Sequence, residues 1–275
     1  MNKIYTTILI VLTFVLVQTS MGEDLTSVDE IVSNSNRVAY YQGQDGRAKV
    51  SMVITDSQGR IREKEMTILR LDGAPEGVEN ATGDEYCGDQ KFYVFFSRPA
   101  DENKTVFMVW KHIKSDDDRW MYLPALDLVK RIASTEKRTS FVGSDFFYED
   151  VSGRNLDEDN HELLETTKSY YVLKNTPKNP DSVEFSYYKM WVHKSTFLTT
   201  KVEYYDKSGE LYRQYDALKV DTIQGFPTIT QAGMKDLRTK SETVNTYSNV
   251  EYNIGLPDDI FTERYLRRAP MKYLR

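Results

Sequence analysis

Two neighbouring segments of this chain, KFYVFFSRP and KTVFMVWKH, have apolar side chains at both even and odd positions. Phe92, Val94 and Phe96 would lie on one face of the first strand and Tyr93 and Phe95 on the other. In the second segment, one face would carry Val106, Met108 and Trp110 and the other face Phe107 and Val109. An antiparallel sheet normally leaves one face to water, so strands that are apolar on both faces need a cover on each side. The pattern predicts a second layer on one face and a plug or a ligand on the other.

Alternation with a period of two dominates the rest of the chain. In RAKVSMVIT the apolar residues Ala48, Val50, Met52 and Ile54 share one face, and the turn DSQGR (residues 56–60) leads into IREKEMTILRL. Such a pattern predicts a β-hairpin. Further strand-like runs follow at regular intervals up to ETVNTYSNVEYN, with turns at DKSG and QGFP. We therefore expect a mainly β protein: an antiparallel barrel or strongly curved sheet with few helices.

Three short helices are expected around this sheet. Ser27 and Glu30 have the spacing of a capping box, and the residues after them predict an amphipathic helix over about 28–39. A second helix should start at Ser144 or Asp145 and stop near Gly153. The acidic pair after Pro257 can start a short terminal helix.

The N-terminal residues indicate export. Lys3 precedes the apolar run ILIVLTFVLV, which is shorter than the roughly 18 residues of a membrane-spanning helix, and Ser20 and Gly22 are small residues placed for cleavage before Glu23. We predict a signal peptide over residues 1–22 and a single domain over residues 23–275, with a retained N-terminal membrane segment as the alternative.

The chain has one cysteine, Cys87, so no internal disulfide can form and a hydrophobic core must hold the fold. Cys87 falls in a Gly-, Asp- and Glu-rich stretch, residues 71–90, which reads as a long surface loop. An incidental loop cysteine is the favoured interpretation and a reactive thiol the alternative.

Charge and motifs exclude several function classes. A net charge of −6 argues against nucleic acid as a partner. The histidines His112, His161 and His193 form no zinc motif, and residues 116–118 lack the spacing of a calcium loop. Ser144 lacks the second glycine of a hydrolase nucleophile motif. We expect no enzyme activity, no metal and no cofactor.

The central stretch DRWMYLPALDLVKRI...SFVGSDFFYEDV closely resembles a segment of the outer-membrane lipoprotein-sorting proteins, the lipoprotein-carrier-like group. The matching residues are Trp120, Tyr122, Leu123, Pro124, Lys130, Arg131, Ile132, Ser140, Phe141, Gly143, Ser144, Asp145 and Phe146. The resemblance implies a half-open antiparallel β-barrel in the periplasm, with an apolar concave face covered by an N-terminal helix and short helices. It also implies a carrier that holds the acyl chains of a lipid or lipoprotein between the inner and outer membranes, together with an inner-membrane transporter.

Eight aromatic or long apolar residues are the candidates for the lipid-binding cavity: Phe92, Phe96, Met108, Trp110, Trp120, Tyr122, Phe141 and Phe146. The alternative for each is a place in a dry core. Arg98, Lys130 and Arg131 are candidates for closing the lid or for contacting a headgroup or partner. The alternative for the basic pair Lys130 and Arg131 is an exposed strand end.

A second function stays open, that of a periplasmic sensor or adaptor that binds and regulates a membrane protein. The departures from the family pattern are the greater length, the loop around Cys87 and Lys104 where a glycine is usual, and they leave the cargo open.

Overall fold

The computed structural model of the chain describes residues 27–73 and 88–275. The expected signal peptide and Cys87 lie outside the described residues, as does most of the expected loop over residues 71–90. The described part contains thirteen strands and three α-helices. The helices are α1 Val28–Tyr40, α2 Tyr148–Ser152 and α3 Glu263–Arg267. The strands are β1 Asp45–Thr55, β2 Ile61–Asp72, β3 Gln90–Arg98, β4 Val106–Lys111, β5 Asp118–Leu123, β6 Leu128–Ile132, β7 Asp159–Thr166, β8 Tyr170–Pro177, β9 Phe185–His193, β10 Thr199–Asp206, β11 Leu211–Ile223, β12 Phe226–Asp236 and β13 Ser241–Tyr252.

All thirteen strands belong to one antiparallel sheet whose order is β6-β5-β4-β3-β2-β1-β13-β12-β11-β10-β9-β8-β7. The first strand pairs with the last, Val50 lying opposite Tyr247, and this places β6 and β7 at the two edges. The sheet does not close, and the prediction of a half-open antiparallel barrel is confirmed.

Because β6 and β7 are consecutive in the chain yet lie at opposite edges, the connection between them must cross the sheet. This connection, residues 133–158, is called the lid segment below and includes α2. It crosses the concave face: the Phe141 ring lies 5.9 Å from Phe96 and 5.3 Å from Phe107, within a cluster that also contains Val50 and Met52. The lid segment therefore supplies the plug that the two-sided apolar strands require.

The opposite, convex face of β2 to β5 is covered by the C-terminal residues 253–275, called the outer cover below. Phe261 and Leu266 are buried there against Tyr93 and Met108. The Trp110 indole Nε1 donates to the Phe261 carbonyl at 2.7 Å, and the Tyr93 hydroxyl donates to the Tyr265 carbonyl at 2.7 Å. Both faces of β3 and β4 are thus dry, as their sequences require.

The helix prediction is confirmed at α1. At the C-terminal end the acidic pair after Pro257 begins a 3₁₀ helix, Asp258–Phe261, and α3 follows only at Glu263. In α1 the Ser27 hydroxyl accepts from the Glu30 amide at 3.4 Å, and Ile31 and Val32 pack against Tyr171 and Leu173 of β8. These contacts fix α1 over the β7 to β10 half of the concave face, since its Ser35 hydroxyl also bonds Thr199 of β10 at 2.8 Å.

The predicted start of the second helix is wrong: α2 begins at Tyr148, not at Ser144 or Asp145. Val142 and Gly143 have φ angles of 47° and 77°, so the chain turns here in the left-handed region. The Ser144 hydroxyl donates to the Phe141 carbonyl at 2.7 Å within that turn. The Asp150 carboxylate caps α2 instead by accepting from the Phe147 amide at 2.6 Å.

Candidate ligand-binding cavity

A cavity of about 450 Å³ lies between the concave face of the sheet, α1 and the lid segment. This volume is in the range of small-molecule sites. Its apolar wall comes from strands on both sides of the β1 and β13 pair, from α1 and from the lid segment. The apolar lining residues include Val32, Val38, Val50, Met52, Met66, Ile68, Phe92, Phe141, Phe146, Val151, Leu156, Met190, Leu198, Val202, Ile229 and Met234. The wall can therefore take up apolar surface without making or breaking a bond.

Tyrosines form much of the rest of the wall. Tyr40 of α1 and Tyr188, Tyr204, Tyr215 and Tyr247 of the sheet all line the cavity. Burial raises the pKa of Tyr204 to about 12, and burial likewise raises the pKa of the other four phenols above their ordinary value. These hydroxyls stay protonated at any physiological pH, so they give the wall polarity without charge.

One end of the lid segment is held by a buried ionic cluster around Glu149 of α2. The carboxylate of Glu149 pairs with Arg138, with Lys137 at 3.2 Å and with Arg154 at 3.3 Å. Burial acts to raise the pKa of Glu149, but these three cations outweigh it and lower the pKa to about 2. Glu149 is therefore ionised throughout the physiological range.

The same cluster joins the lid segment to the sheet. Arg138 pairs with Glu184, the residue before β9, at 2.6 Å, and Arg154 pairs with Asp159 of β7 at 2.9 Å. Removing one member of such a cluster leaves buried charge uncompensated, which costs about 3–5 kcal/mol. The contacts fix this end of the lid over β7 to β9.

The other side of the lid segment is held by neutral and charged hydrogen bonds. Arg213 of β11 pairs with Asp150 and also donates to the Asp145 carbonyl at 3.0 Å. Lys111 of β4 donates to the Ser152 carbonyl at 2.6 Å, and burial lowers the pKa of this lysine to about 8. The Asp145 carboxylate accepts from the Thr243 hydroxyl of β13 at 2.6 Å. The lid segment is thus bonded to the sheet from β4 to β11.

The structure brings three of the eight candidate residues to the cavity. Phe92, Phe141 and Phe146 line it. Phe96 faces the same side but is packed beneath Phe141, with no exposed surface. Three of these four side chains are therefore in a position to contact a ligand, and a lipid-binding role for them stays a prediction.

The face predicted for Met108, Trp110, Trp120 and Tyr122 is wrong. The register pairs Tyr93 with Met108 and Phe92 with Val109, and paired residues share a face. These four side chains accordingly lie on the convex face, packed against the outer cover, with the Trp110 and Trp120 rings 5.2 Å apart. The side chains that accompany Phe92 and Phe96 on the concave face are Phe107, Val109 and Met121. A strand with two apolar faces gives no internal sign of which face is concave.

The three candidate basic residues lie away from the cavity. Arg98 is exposed at the end of β3, 3.5 Å from Glu65. Lys130 and Arg131, on the edge strand β6, pair with Glu136 and Asp118, and the Arg131 guanidinium lies over the Trp120 ring. Their role toward a headgroup or partner stays a prediction, and any such contact takes place outside the cavity.

Several cavity residues were not selected from the sequence. On β9 and β10, Tyr188, Met190, Val202 and Tyr204 point into the cavity, while Tyr187, Lys189 and Tyr205 point outward. The alternation was visible in SYYKMWVH and KVEYYD, but each strand carries aromatic residues on both faces. Only the placement of α1 and the lid segment distinguishes the two faces.

The serine and histidine side chains have structural partners. Ser144 is buried and its hydroxyl bonds within its own turn, with acceptors at Phe141 and Phe146. His112 lies 3.0 Å from Asp89, His161 lies 2.6 Å from Asn175, and His193 lies 3.1 Å from Thr196. Within residues 27–73 and 88–275 no group of His, Cys, Asp and Glu is arranged to hold a metal ion.

None of the helices in the described part of the chain is long and apolar enough to cross a membrane.

Comparison with known proteins places this architecture in a family. A family model described as "Uncharacterized protein" matches residues 88–268, more than half of the chain. The crystal structure of a DUF1329 family protein from Desulfovibrio piger is 30% identical, with a TM-score of 0.74, and the match covers 87% of this chain and 98% of that one. The chain belongs to the DUF1329 family. No curated protein is significantly similar to this DUF1329 protein.

Two further solved structures agree with the expected resemblance. A putative outer membrane lipoprotein-sorting protein domain from Vibrio parahaemolyticus is 25% identical, with a TM-score of 0.76 over 87% of this DUF1329 protein and 97% of that chain. The LolA superfamily protein NE2245 from Nitrosomonas europaea is 21% identical, with a TM-score of 0.64 over 88% of this chain and 100% of that one. The resemblance to the lipoprotein-sorting, LolA-like proteins is confirmed, and the fold is the one they share.

Proposed function

We propose that this DUF1329 protein is a periplasmic carrier without enzyme activity, which binds the acyl chains of a lipid or lipoprotein and moves them between the inner and outer membranes. An inner-membrane transporter is the proposed donor. The observation that carries the proposal is the cavity of about 450 Å³ between the concave sheet and the lid segment. Each buried CH₂ group of the ligand contributes roughly 0.8 kcal/mol. Burial of an acyl chain of ordinary length therefore supplies enough free energy for binding, and no covalent bond needs to form.

The lipoprotein-sorting description of a 25% identical structure supports this class of cargo. The apolar N-terminal run with its small residues at the expected cleavage point supports export to the periplasm. For the ligand to be released, the lid segment must move away from the sheet. The ion pairs of Glu149 and Asp150 resist this movement.

Native mass spectrometry of the protein purified gently from the periplasm, followed by organic extraction, tests the proposal. A stoichiometric acyl-bearing ligand is the expected result. A ligand-free mass that does not change after incubation with lipids would overturn it.

A second candidate function is that of a sensor or adaptor for a membrane protein. It is favoured by a strip on the convex face of β8 to β10, where Lys174 lies over Tyr187, Lys189 over Tyr205 and Lys201 over Trp191, at 4.8 to 5.3 Å. Lysine beside aromatic rings suits an acidic protein segment. Co-purification with a membrane protein would favour this candidate if it is lost when the three lysines are replaced by alanine. It should also be unaffected by blocking the cavity.

A further inference from the structure

Three tyrosine hydroxyls in the lining of the cavity form no hydrogen bond to any of the described residues. They belong to Tyr40 of α1, Tyr204 of β10 and Tyr215 of β11. The three residues are only partly buried, and their hydroxyl oxygens are accessible. Polar groups inside a protein are nearly always paired with protein, water or ligand. These hydroxyls can therefore bond to a ligand in the cavity.

The lid segment contributes a hydrogen-bond acceptor to the same cavity. Asp150 of α2 lines it, and 17% of the Asp150 side chain is exposed. The Oδ2 atom of this carboxylate accepts from the Phe147 amide and pairs with Arg213. The Oδ1 atom has no hydrogen bond within residues 27–73 and 88–275, so it can accept from a ligand.

The acceptor lies close to all three hydroxyls. Burial is the main cause of the raised pKa of Tyr40, Tyr204 and Tyr215, and the nearby Asp150 carboxylate contributes to the increase at each of them. The three phenols and Asp150, called the tyrosine group below, come from α1, the sheet and the lid segment. They converge only because these three parts of the chain enclose the cavity.

The charges of the tyrosine group favour an uncharged ligand. An anion would be repelled by the Asp150 carboxylate. A cation would gain little, because Asp150 already pairs with Arg213, whose guanidinium lies 5.2 Å from the centre of the Tyr204 ring. A hydroxyl both donates and accepts hydrogen bonds, so it can accept from a phenol and donate to the Asp150 Oδ1 atom. Hydroxyls on an uncharged ligand therefore match the group best.

The same cavity has an apolar wall on which an acyl chain can lie. Val50 and Met52 of β1 and Met66 and Ile68 of β2 line it, and none of these side chains carries a hydrogen-bonding N or O atom. The cavity thus combines an apolar wall with a small number of convergent polar groups, as sites for amphipathic small molecules do.

We propose that the tyrosine group binds the headgroup of an uncharged lipid that carries neighbouring free hydroxyls, while its acyl chain lies against the β1 and β2 wall. One ligand hydroxyl donates to Asp150 Oδ1, and its neighbours accept from the phenols. The inference rests on the proposed carrier function and names the headgroup chemistry of the cargo. Glycerol and sugar headgroups share this chemistry, so the test includes one ligand of each kind.

The test measures displacement of an apolar fluorescent probe from the full mature chain by ligands with twelve-carbon chains, each below its micelle-forming concentration. The hydroxyl-bearing ligands are 1-monolauroylglycerol and dodecyl glucoside. The comparison ligands are methyl laurate, which is an ester without hydroxyls, the anion laurate and the cation dodecylammonium. At least one hydroxyl-bearing ligand should bind more tightly than all three comparison ligands.

Substitutions that remove only a hydroxyl test the tyrosine group directly. Tyr40→Phe, Tyr204→Phe and Tyr215→Phe should each weaken binding of the preferred hydroxyl-bearing ligand about fivefold for a lost hydrogen bond, and should leave binding of methyl laurate unchanged. Tyr187→Phe, on the outward face of β9, is the matched control and should change neither affinity.

Thermal unfolding of the ligand-free variants separates this role from damage to the fold. The three hydroxyls have no partner in the described part of the chain, so each phenylalanine variant should melt at the temperature of the parent or above it. Weaker binding together with a lower melting temperature in all three variants would indicate a structural role and would overturn the inference.

Equal binding of methyl laurate and the hydroxyl-bearing ligands, or no effect of any of the three substitutions, would overturn the inference and leave the carrier function standing. Tighter binding of laurate or dodecylammonium would do the same. Failure of every ligand to displace the probe from the parent protein would overturn the carrier function itself. Selective binding of 1-monolauroylglycerol or of dodecyl glucoside supports the inference and identifies the headgroup as glycerol or sugar.

Discussion

The two faces of β3 and β4 have nearly the same composition and different roles. On the convex face, Tyr93, Met108 and Trp110 are sealed by the outer cover, which lies directly on them. On the concave face, the lid segment packs directly on Phe96 but leaves a cavity whose wall runs from Phe92 of β3 round to β8. Apolar composition thus determines that a face is dry, while the path of the covering segment determines whether it is filled or hollow.

The means of attachment also differ between the two covers. The outer cover is held mainly by apolar contact, with Phe261 and Leu266 fully buried. The lid segment is held by paired charges such as those of Glu149 and Arg138. Apolar contact resists pH and salt, whereas ion pairs depend on the protonation of their members. We therefore expect the two covers to respond differently to substitution and to acid.

The largest expected effect on stability comes from removing a buried ring from the outer cover. Phe261→Ala removes a ring with no exposed surface and should lower the free energy of unfolding by about 3–5 kcal/mol, measured by urea denaturation. Affinity for an apolar probe should be unchanged while the protein is folded, because Phe261 does not line the cavity. Met271→Ala, at a residue that is 48% exposed in the same segment, should cost less than about 0.5 kcal/mol. A large loss of probe binding in Phe261→Ala would contradict the separation of the two faces.

Removing the charge of Glu149 tests the attachment of the lid segment. Glu149→Gln leaves its three cationic partners under-compensated and should destabilise the protein by about 3 kcal/mol at pH 7, measured by chemical denaturation. Asp157→Asn, at an exposed position of the same segment, is the control and should be near neutral.

The acid response of the parent protein has a defined sign. Because the folded-state pKa of Glu149, about 2, is below the ordinary value of 4.5, its contribution to stability is complete above about pH 4.5 and is lost as the pH falls toward 2. Glu149→Gln should flatten the stability profile over that window. A profile with the same slope in both proteins would show that other groups control the acid response.

Filling the cavity should reduce binding without the stability cost of an outer-cover change. Met190→Trp places a larger ring in the cavity and should weaken probe binding at least about tenfold, measured by fluorescence titration. Lys189→Trp, one residue earlier on the outward face of β9, is the matched control and should bind the probe as the parent does. Equal loss in both variants would mean that the probe binds elsewhere.

The smallest effect is expected at Ser144. Ser144→Ala removes the hydroxyl bond to the Phe141 carbonyl and should cost about 1 kcal/mol of stability. Hydrolysis of a chromogenic ester should match the background rate in both the parent and the variant. Turnover by the parent that disappears in Ser144→Ala would contradict the expectation of no enzyme activity and would make Ser144 a nucleophile.

Much of the architecture was predictable because it follows from local rules. Alternation in β1 placed Val50, Met52 and Ile54 on one face, and all three are buried. The Ser27 cap set the start of α1. The start of α2 was not predictable in the same way, because the tertiary turn at Val142 and Gly143 engages Ser144 and leaves capping to Asp150.

The cavity was predictable only in part. Phe141 and Phe146 were found because they stand in the central motif, and Phe92 because it stands in a strand with two apolar faces. Trp110 and Trp120 were placed on the wrong side because alternation assigns residues to two faces but does not label either face as concave. The buried Asn175 Nδ2 and Asn245 Oδ1 atoms, which lack a hydrogen-bond partner within the described residues, have no local signal in the sequence, since each asparagine is one polar residue among many.

The sequence by itself determined that the chain forms a curved antiparallel sheet, that β3 and β4 are covered on both faces, and that the chain resembles the lipoprotein-sorting proteins. These follow from the side-chain period and from a specific local motif. Only the tertiary structure decided which face holds the cavity and which buried polar atoms lack a partner. Those properties depend on the strand register, on the pairing of β1 with β13 and on the path of residues 133–158 between the two sheet edges, which are contacts between parts of the chain far apart in sequence.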